Sequence, residues 1–106
     1  MYKFMFFVPV DYADLVKQAV FKAGAGKLGN YSECSWETLG TGQFKPMSGS
    51  NPFLGDVDVL ETVSELKVEM MCEHVCIQNV IRAFKQAHPY EEPAYEVIKL
   101  EMLSEN

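Results

Sequence analysis

Two short stretches of this 106-residue chain gather side chains that could do chemistry. Cys72-Glu73-His74-Val75-Cys76 holds two thiols and an imidazole close together, donors of the kind that bind copper or zinc. A tetrahedral site needs a fourth ligand, and no second Cys pair or His pair closes the set. The competing reading makes Cys76 a small buried hydrophobe and Glu73 a first-turn acid suited to a helix dipole. His88-Pro89-Tyr90-Glu91-Glu92-Pro93 sets an imidazole, a phenol and two carboxylates in a loop stiffened by two prolines. An enzyme could use such groups as acid and base. They also suit architecture: His88 at a helix C-terminus, Pro89 as its stop, Pro93 at the entry to an edge strand. No positioned nucleophile accompanies them, which favours ligand or partner contact over catalysis.

Gly40-Thr41-Gly42 resembles a phosphate cradle only superficially. A P-loop has a Lys-Ser/Thr pair and a helix N-terminus directly behind it, whereas Gln43-Phe44-Lys45-Pro46 reads as extended. A hairpin turn at Gly40-Thr41-Gly42 is the expectation, with Lys45 in reach of an anionic ligand. Trp36, Phe44 and Phe53 fit core or interface, with stacking on a ligand as the alternative.

The elements that must position these groups follow from hydrophobic spacing. Tyr2 to Val8 is nearly continuous in apolar residues, as in a central strand. Asp11 suits an N-cap, and Leu15, Val16, Ala19, Val20 and Ala23 recur at helical steps until Gly24 and Gly26. Tyr31 to Thr38 alternates as a half-buried strand, followed by a glycine-rich loop over 40–55. Val57 to Met71 is extended, with Leu66, Val68 and Met70 on one side and Glu65, Lys67 and Glu69 on the other. A second helix starts near His74, carries Ile77, Val80, Ile81 and Phe84 on one face, and stops at His88-Pro89. Ala94 to Leu103 is the last strand.

This order predicts one α+β domain over 1–106. It is a ferredoxin-like βαββαβ sandwich: an antiparallel four-stranded sheet, two helices on one face, and a β-hairpin extension after strand 2. The other sheet face has no cover in this arrangement. Met5 and Phe7 would point to it, and burying such a side chain is worth roughly 1.5–3 kcal/mol. Self-association through that face is therefore expected, in preference to the 40–55 loop folding over it.

Composition narrows the function classes. Net charge is −6 and the sequence pI about 4.8, so no basic stripe marks a nucleic-acid surface. The acidity concentrates after residue 60, where nine acids face four bases. The apolar opening run is short and leads into Pro9-Val10-Asp11, which reads as a strand rather than a signal or membrane segment. Cys34, Cys72 and Cys76 are odd in number, consistent with free thiols in a cytoplasmic setting.

Two groups of motifs carry a family resemblance. Tyr31-Ser32-Glu33-Cys34-Ser35-Trp36, Gly40 to Pro46 and Asn51-Pro52-Phe53-Leu54-Gly55, together with His88 to Tyr95, resemble the insert domain of the Nif-three-like (NGG-interacting factor) proteins. His88-Pro89-Tyr90-Glu91 also resembles a loop of the CutA proteins. The resemblance covers essentially the whole chain and implies the PII/CutA-like fold, trimer-type assembly and a stand-alone form of the insert. The dinuclear metal site of full-length members lies in flanking domains, built from His, Asp and Glu, so their hydrolase names are not expected to transfer. The expectation is a non-catalytic binding or regulatory homo-oligomer without cofactor. Its ligand-loop residues are Gly40, Gly42, Phe44, Lys45, His88, Pro89, Tyr90, Glu91 and Glu92. A copper or zinc protein using Cys72, His74, Cys76 or His88 is one alternative; a small enzyme with His88, Tyr90 and Glu91 at subunit junctions is the other.

Overall fold

The computed structural model describes residues 1–103. Strand β1 (Tyr2–Pro9) leads through a 3₁₀ turn, Val10–Tyr12, into helix α1 (Ala13–Lys22). Strands β2 (Trp36–Phe44) and β3 (Glu61–Cys72) follow, then a 3₁₀ turn at His74–Cys76, helix α2 (Ile77–Ala87) and strand β4 (Tyr95–Lys99). The sheet order is β2-β3-β1-β4 with every neighbouring pair antiparallel, as the ferredoxin-like reading requires.

Period-two alternation decides the faces. Phe4, Phe6 and Val8 of β1 and Val68, Met70 and Cys72 of β3 point under the helices, where they meet Val16 and Val20 of α1 and Val80 and Phe84 of α2. Phe84 lies edge-on to Phe4 at 5.6 Å between ring centroids, and Tyr95 closes the cluster from β4. Gly26 takes a φ of +82° and sits where a Cβ would strike the Phe21 ring, so helix α1 turns back to the sheet only with glycine there.

Several local expectations need correction. Gly40-Thr41-Gly42 is not a turn: β2 runs straight through it, Gly40 opposite Glu65 and Gly42 opposite Val63. The hairpin extension consists of the far ends of β2 and β3 themselves. Residue Pro9 of β1 pairs with Glu65, so from Ser64 back to Glu61 the sheet is two strands wide. This arm stretches the molecule to 56 × 24 × 23 Å with a radius of gyration of 15.2 Å, against about 13 Å for a compact chain of this length. Strand β2 starts at Trp36 rather than Tyr31, β3 at Glu61 rather than Val57, and β4 stops at Lys99. Asp11 lies in the 3₁₀ turn and does not cap α1; Leu15 points outward and is 59% exposed.

The uncovered sheet face also differs from expectation. Met5 is only 4% exposed and Phe7 is half-buried. Beside Met5, Lys3 and Glu69 form an ion pair at 2.7 Å, and segment 45–54 approaches Phe7. Exposed apolar side chains stand at the two edges of this face, Trp36 of β2 at 70% and Ile98 of β4 at 49% exposure, while Leu39, 68% exposed, lies on the opposite face of β2. No helix among the described residues is long and apolar enough to cross a membrane.

Candidate functional site

Where the β1–β4 ladder runs out, the Phe7 amide still donates to the Ala94 carbonyl, at 3.3 Å. The Phe7 carbonyl is taken by the ring of His88, with Nε2 at 2.7 Å. A carbonyl only accepts, so Nε2 carries the hydrogen; Nδ1 is then bare and accepts the Tyr90 amide at 3.1 Å. His88 is 6% exposed, and burial holds its pKa below the ordinary value, the Phe7 carbonyl and Glu65 opposing that shift. The ring is a neutral strut with both nitrogens committed to backbone. Helix α2 ends at the position where His88-Pro89 stops it, and the same histidine fixes the course of the following loop.

That loop throws Tyr90 across to the open face of β3. The Tyr90 hydroxyl donates to Glu65 Oε2 at 2.8 Å, and burial, followed by the carboxylate, pushes the phenol pKa well up. Glu65 bends over Gly42, where a Cβ would collide with its carboxylate. Gly42 has no left-handed φ, so the need for glycine here is one of space.

Segment 45–54 comes back from the end of the arm to face the His88–Pro93 loop. Glu91 Oε2 accepts the Asn51 amide at 3.0 Å, which joins the two loops. Phe53 sits edge-on to Tyr12 at 5.5 Å and within 6.4 Å of Tyr90, whose ring lies 5.9 Å from Phe44. Together these groups enclose a cleft of about 440 Å³, within the range of small-molecule pockets. Its walls are largely apolar: Phe7, Phe44, Pro46, Met47, Pro52, Phe53, Leu54 and Tyr90, with Glu65, Glu91, Glu92 and Lys45 as its charged members.

Of the residues singled out in sequence, Phe44, Lys45, Phe53, Tyr90, Glu91 and Glu92 meet in this cleft. His88 and Gly42 act from behind it, one fixing the loop and the other making room for Glu65. Pro89 is half-buried and Gly40 exposed, and neither lines the cleft; a Cβ at Gly40 would meet nothing. Glu65 and Phe7 also line the cleft, though no sequence motif marks them. Alternation assigned both to the open face, but their distance in sequence from either loop concealed the meeting.

The cysteine cluster is split up. Cys72 faces the core at 2% exposure, where burial pushes its thiol up to about 11. His74 is exposed and stacks on Tyr2, whose hydroxyl lies 2.9 Å from Nδ1. Cys76 packs over Gly24. Among the described residues no three His, Cys, Asp or Glu side chains come together as a metal-ligand set.

No family model matches the chain. A curated relative from Halalkalibacterium halodurans, named GTP cyclohydrolase 1 type 2 homolog, is 46% identical over 100 residues, which cover 94% of this chain and 27% of that protein. The protein of the same name from Mycobacterium leprae is 43% identical over 98 residues, 92% of this chain and 26% of its own length. Among solved structures, a Bacillus cereus protein related to NIF3 superposes with a TM-score of 0.81 at 40% identity, over 95% of this chain and 26% of that one. CutA1 from Pyrococcus horikoshii superposes with a TM-score of 0.68 at 16% identity, over 100% of this chain and 89% of its own, a likeness of fold. The chain thus spans about a quarter of the length of the curated relatives it matches. By sequence and by fold it is Nif-three-like, the counterpart of that quarter, with the ferredoxin-like architecture also found in CutA.

Proposed function

We propose that the chain is a non-catalytic binding module, working as a homo-oligomer, that holds a small molecule in the cleft between segment 45–54 and the His88–Pro93 loop. The observation that carries this reading is the convergence of both loops, within one chain, on a largely apolar space of about 440 Å³. Against catalysis stands the state of the acid–base candidates: His88 has both nitrogens bound to backbone, and the Tyr90 hydroxyl is held as a donor to Glu65. The relatives' name suggests a nucleoside triphosphate. Three carboxylates and one ammonium on the cleft walls would repel its phosphates.

Assembly draws its support from β2. It is an edge strand with exposed apolar side chains on both faces, and an unpaired edge of this kind invites pairing with another chain. On the open face expected to drive association, Met5 is buried, and the exposed apolar side chains are Trp36 of β2 and Ile98 of β4.

The test is thermal melting against a metabolite library, comparing the chain with Phe44→Ala. A ligand of the cleft raises the wild-type melting temperature in proportion to ln(1 + [L]/Kd) and loses most of that effect in the variant. If every stabilising compound acts equally on both proteins, the cleft is not the binding site. Light scattering after size exclusion checks assembly, and a monomer at micromolar concentration removes that part of the reading.

A further inference from the structure

We propose that the cleft takes an organic cation: an ammonium or guanidinium head at Glu65, carried on an apolar or aromatic stem that lies against Phe44, Phe53 and Tyr90. The inference rests on the reading of the cleft as a binding site and names the class of its ligand.

Charge is the first ground. The titratable walls are Glu65, Glu91 and Glu92 against Lys45, three carboxylates to one ammonium, in a chain of net charge −6. Glu91 spends one oxygen on the Asn51 amide and Glu92 is exposed, which leaves Glu65 as the half-buried carboxylate of the cleft. Glu65 is bound through one oxygen by the neutral Tyr90 hydroxyl. Among the described residues no Lys, Arg or His comes within ion-pair distance of it; Lys3 and Lys17, the paired lysines, are engaged with Glu69 and Glu37. A carboxylate partly withdrawn from water and lacking a counter-charge is stabilised by a cation that reaches it.

Shape is the second ground. Without a side chain at Gly42, the Glu65 carboxylate lies across β2 and into the space walled by the aromatic rings. Phe44, Tyr90 and Phe53 stand in sequence, with 5.9 Å and 6.4 Å between successive centroids. Ring faces attract a cation through the quadrupole and an apolar stem through contact. An anionic head on the same stem keeps the contact but is repelled by the ring faces and by Glu65.

Three probes share a phenethyl stem and differ in head group: phenethylammonium, phenethyl alcohol and phenylpropanoate. Each is titrated into the chain and followed by amide NMR correlation spectra. Phenethylammonium is expected to shift the amides of Gly42, Phe44, Phe53 and Tyr90, to bind on the order of tenfold more tightly than the alcohol, and to weaken as salt is raised. Glu65→Gln, which keeps the volume and an acceptor for Tyr90, should remove that tenfold advantage while melting close to the wild type. If the alcohol or the carboxylate binds as well as the ammonium, or Glu65→Gln changes nothing, the cation assignment fails and the binding cleft stands. If none of the three perturbs those amides, the cation assignment and the reading beneath it both fail.

Discussion

Replacing His88 tests the idea that this imidazole is a strut. In the folded chain it bridges the Phe7 carbonyl at 2.7 Å and the Tyr90 amide at 3.1 Å, at 6% exposure. His88→Phe keeps a flat ring next to Phe84, 5.3 Å away, but offers neither a donor nor an acceptor. Two backbone groups then lose their partners in a poorly hydrated place, at about 1–2 kcal/mol each. The sum is roughly 2–4 kcal/mol, and at about 4–8 °C per kcal/mol for a chain of this size the melting temperature should fall by roughly 10–30 °C. His88→Ala adds a cavity to the same loss and should fall further. Urea unfolding followed by circular dichroism measures the difference. A His88→Phe variant within about 0.5 kcal/mol of wild type would refute the strut, because surface substitutions change stability by no more than that.

Further outcomes follow from the same contacts. His88 resists protonation when folded but takes a proton near 6.5 when unfolded, so the unfolded state binds more protons as pH drops through that value. Its contribution to stability is full above about 6.5 and declines as pH falls from there toward the lowered folded pKa. Urea midpoints between pH 8 and pH 5 should show this slope, and His88→Phe should lack the part due to this group. Glu69, held below 4.5 first by its hydrogen bond to Lys3, contributes stability above that value and loses it at lower pH, so the two effects separate along the pH axis. Tyr90 should be the last tyrosine to ionise in an alkaline NMR titration, and Glu65→Gln should bring its titration down while burial keeps it above the ordinary value. Gly42→Ala should do the same by displacing the Glu65 carboxylate. Native protein treated with a thiol reagent should leave Cys72 unlabelled until denaturant is added, with half-buried Cys34 and Cys76 labelled before it; rapid native labelling of Cys72 would contradict its burial.

Glycine in this sequence is not always punctuation. Gly40-Thr41-Gly42 carries the strongest local turn signal in that part of the chain, yet β3 supplies a register partner for every residue from Trp36 to Phe44 and holds the strand straight. Long-range pairing outweighs local propensity, and the reason for glycine appears only when Glu65 is seen lying over Gly42. The strand expected from Tyr31 fails for a local reason: Tyr31 bridges back to Leu28, Glu33 takes a φ of +57° and the Cys34 amide donates to the Gly26 carbonyl, so β2 begins only at Trp36.

The alternation of Phe4, Phe6 and Val8, the helical spacing of Ile77, Val80 and Phe84, and the stop at His88-Pro89 determined the element order and hence the ferredoxin-like sheet. They could do so because each pattern is local and repeats with a period that only one backbone geometry satisfies. The cleft is of another kind. Phe7, Phe44, Glu65 and Tyr90 come from four separate segments, and their meeting depends on strand register and on one histidine joining β1 to the last loop. Register and loop docking are set by packing across the whole sheet, so the tertiary structure alone decided where those side chains meet.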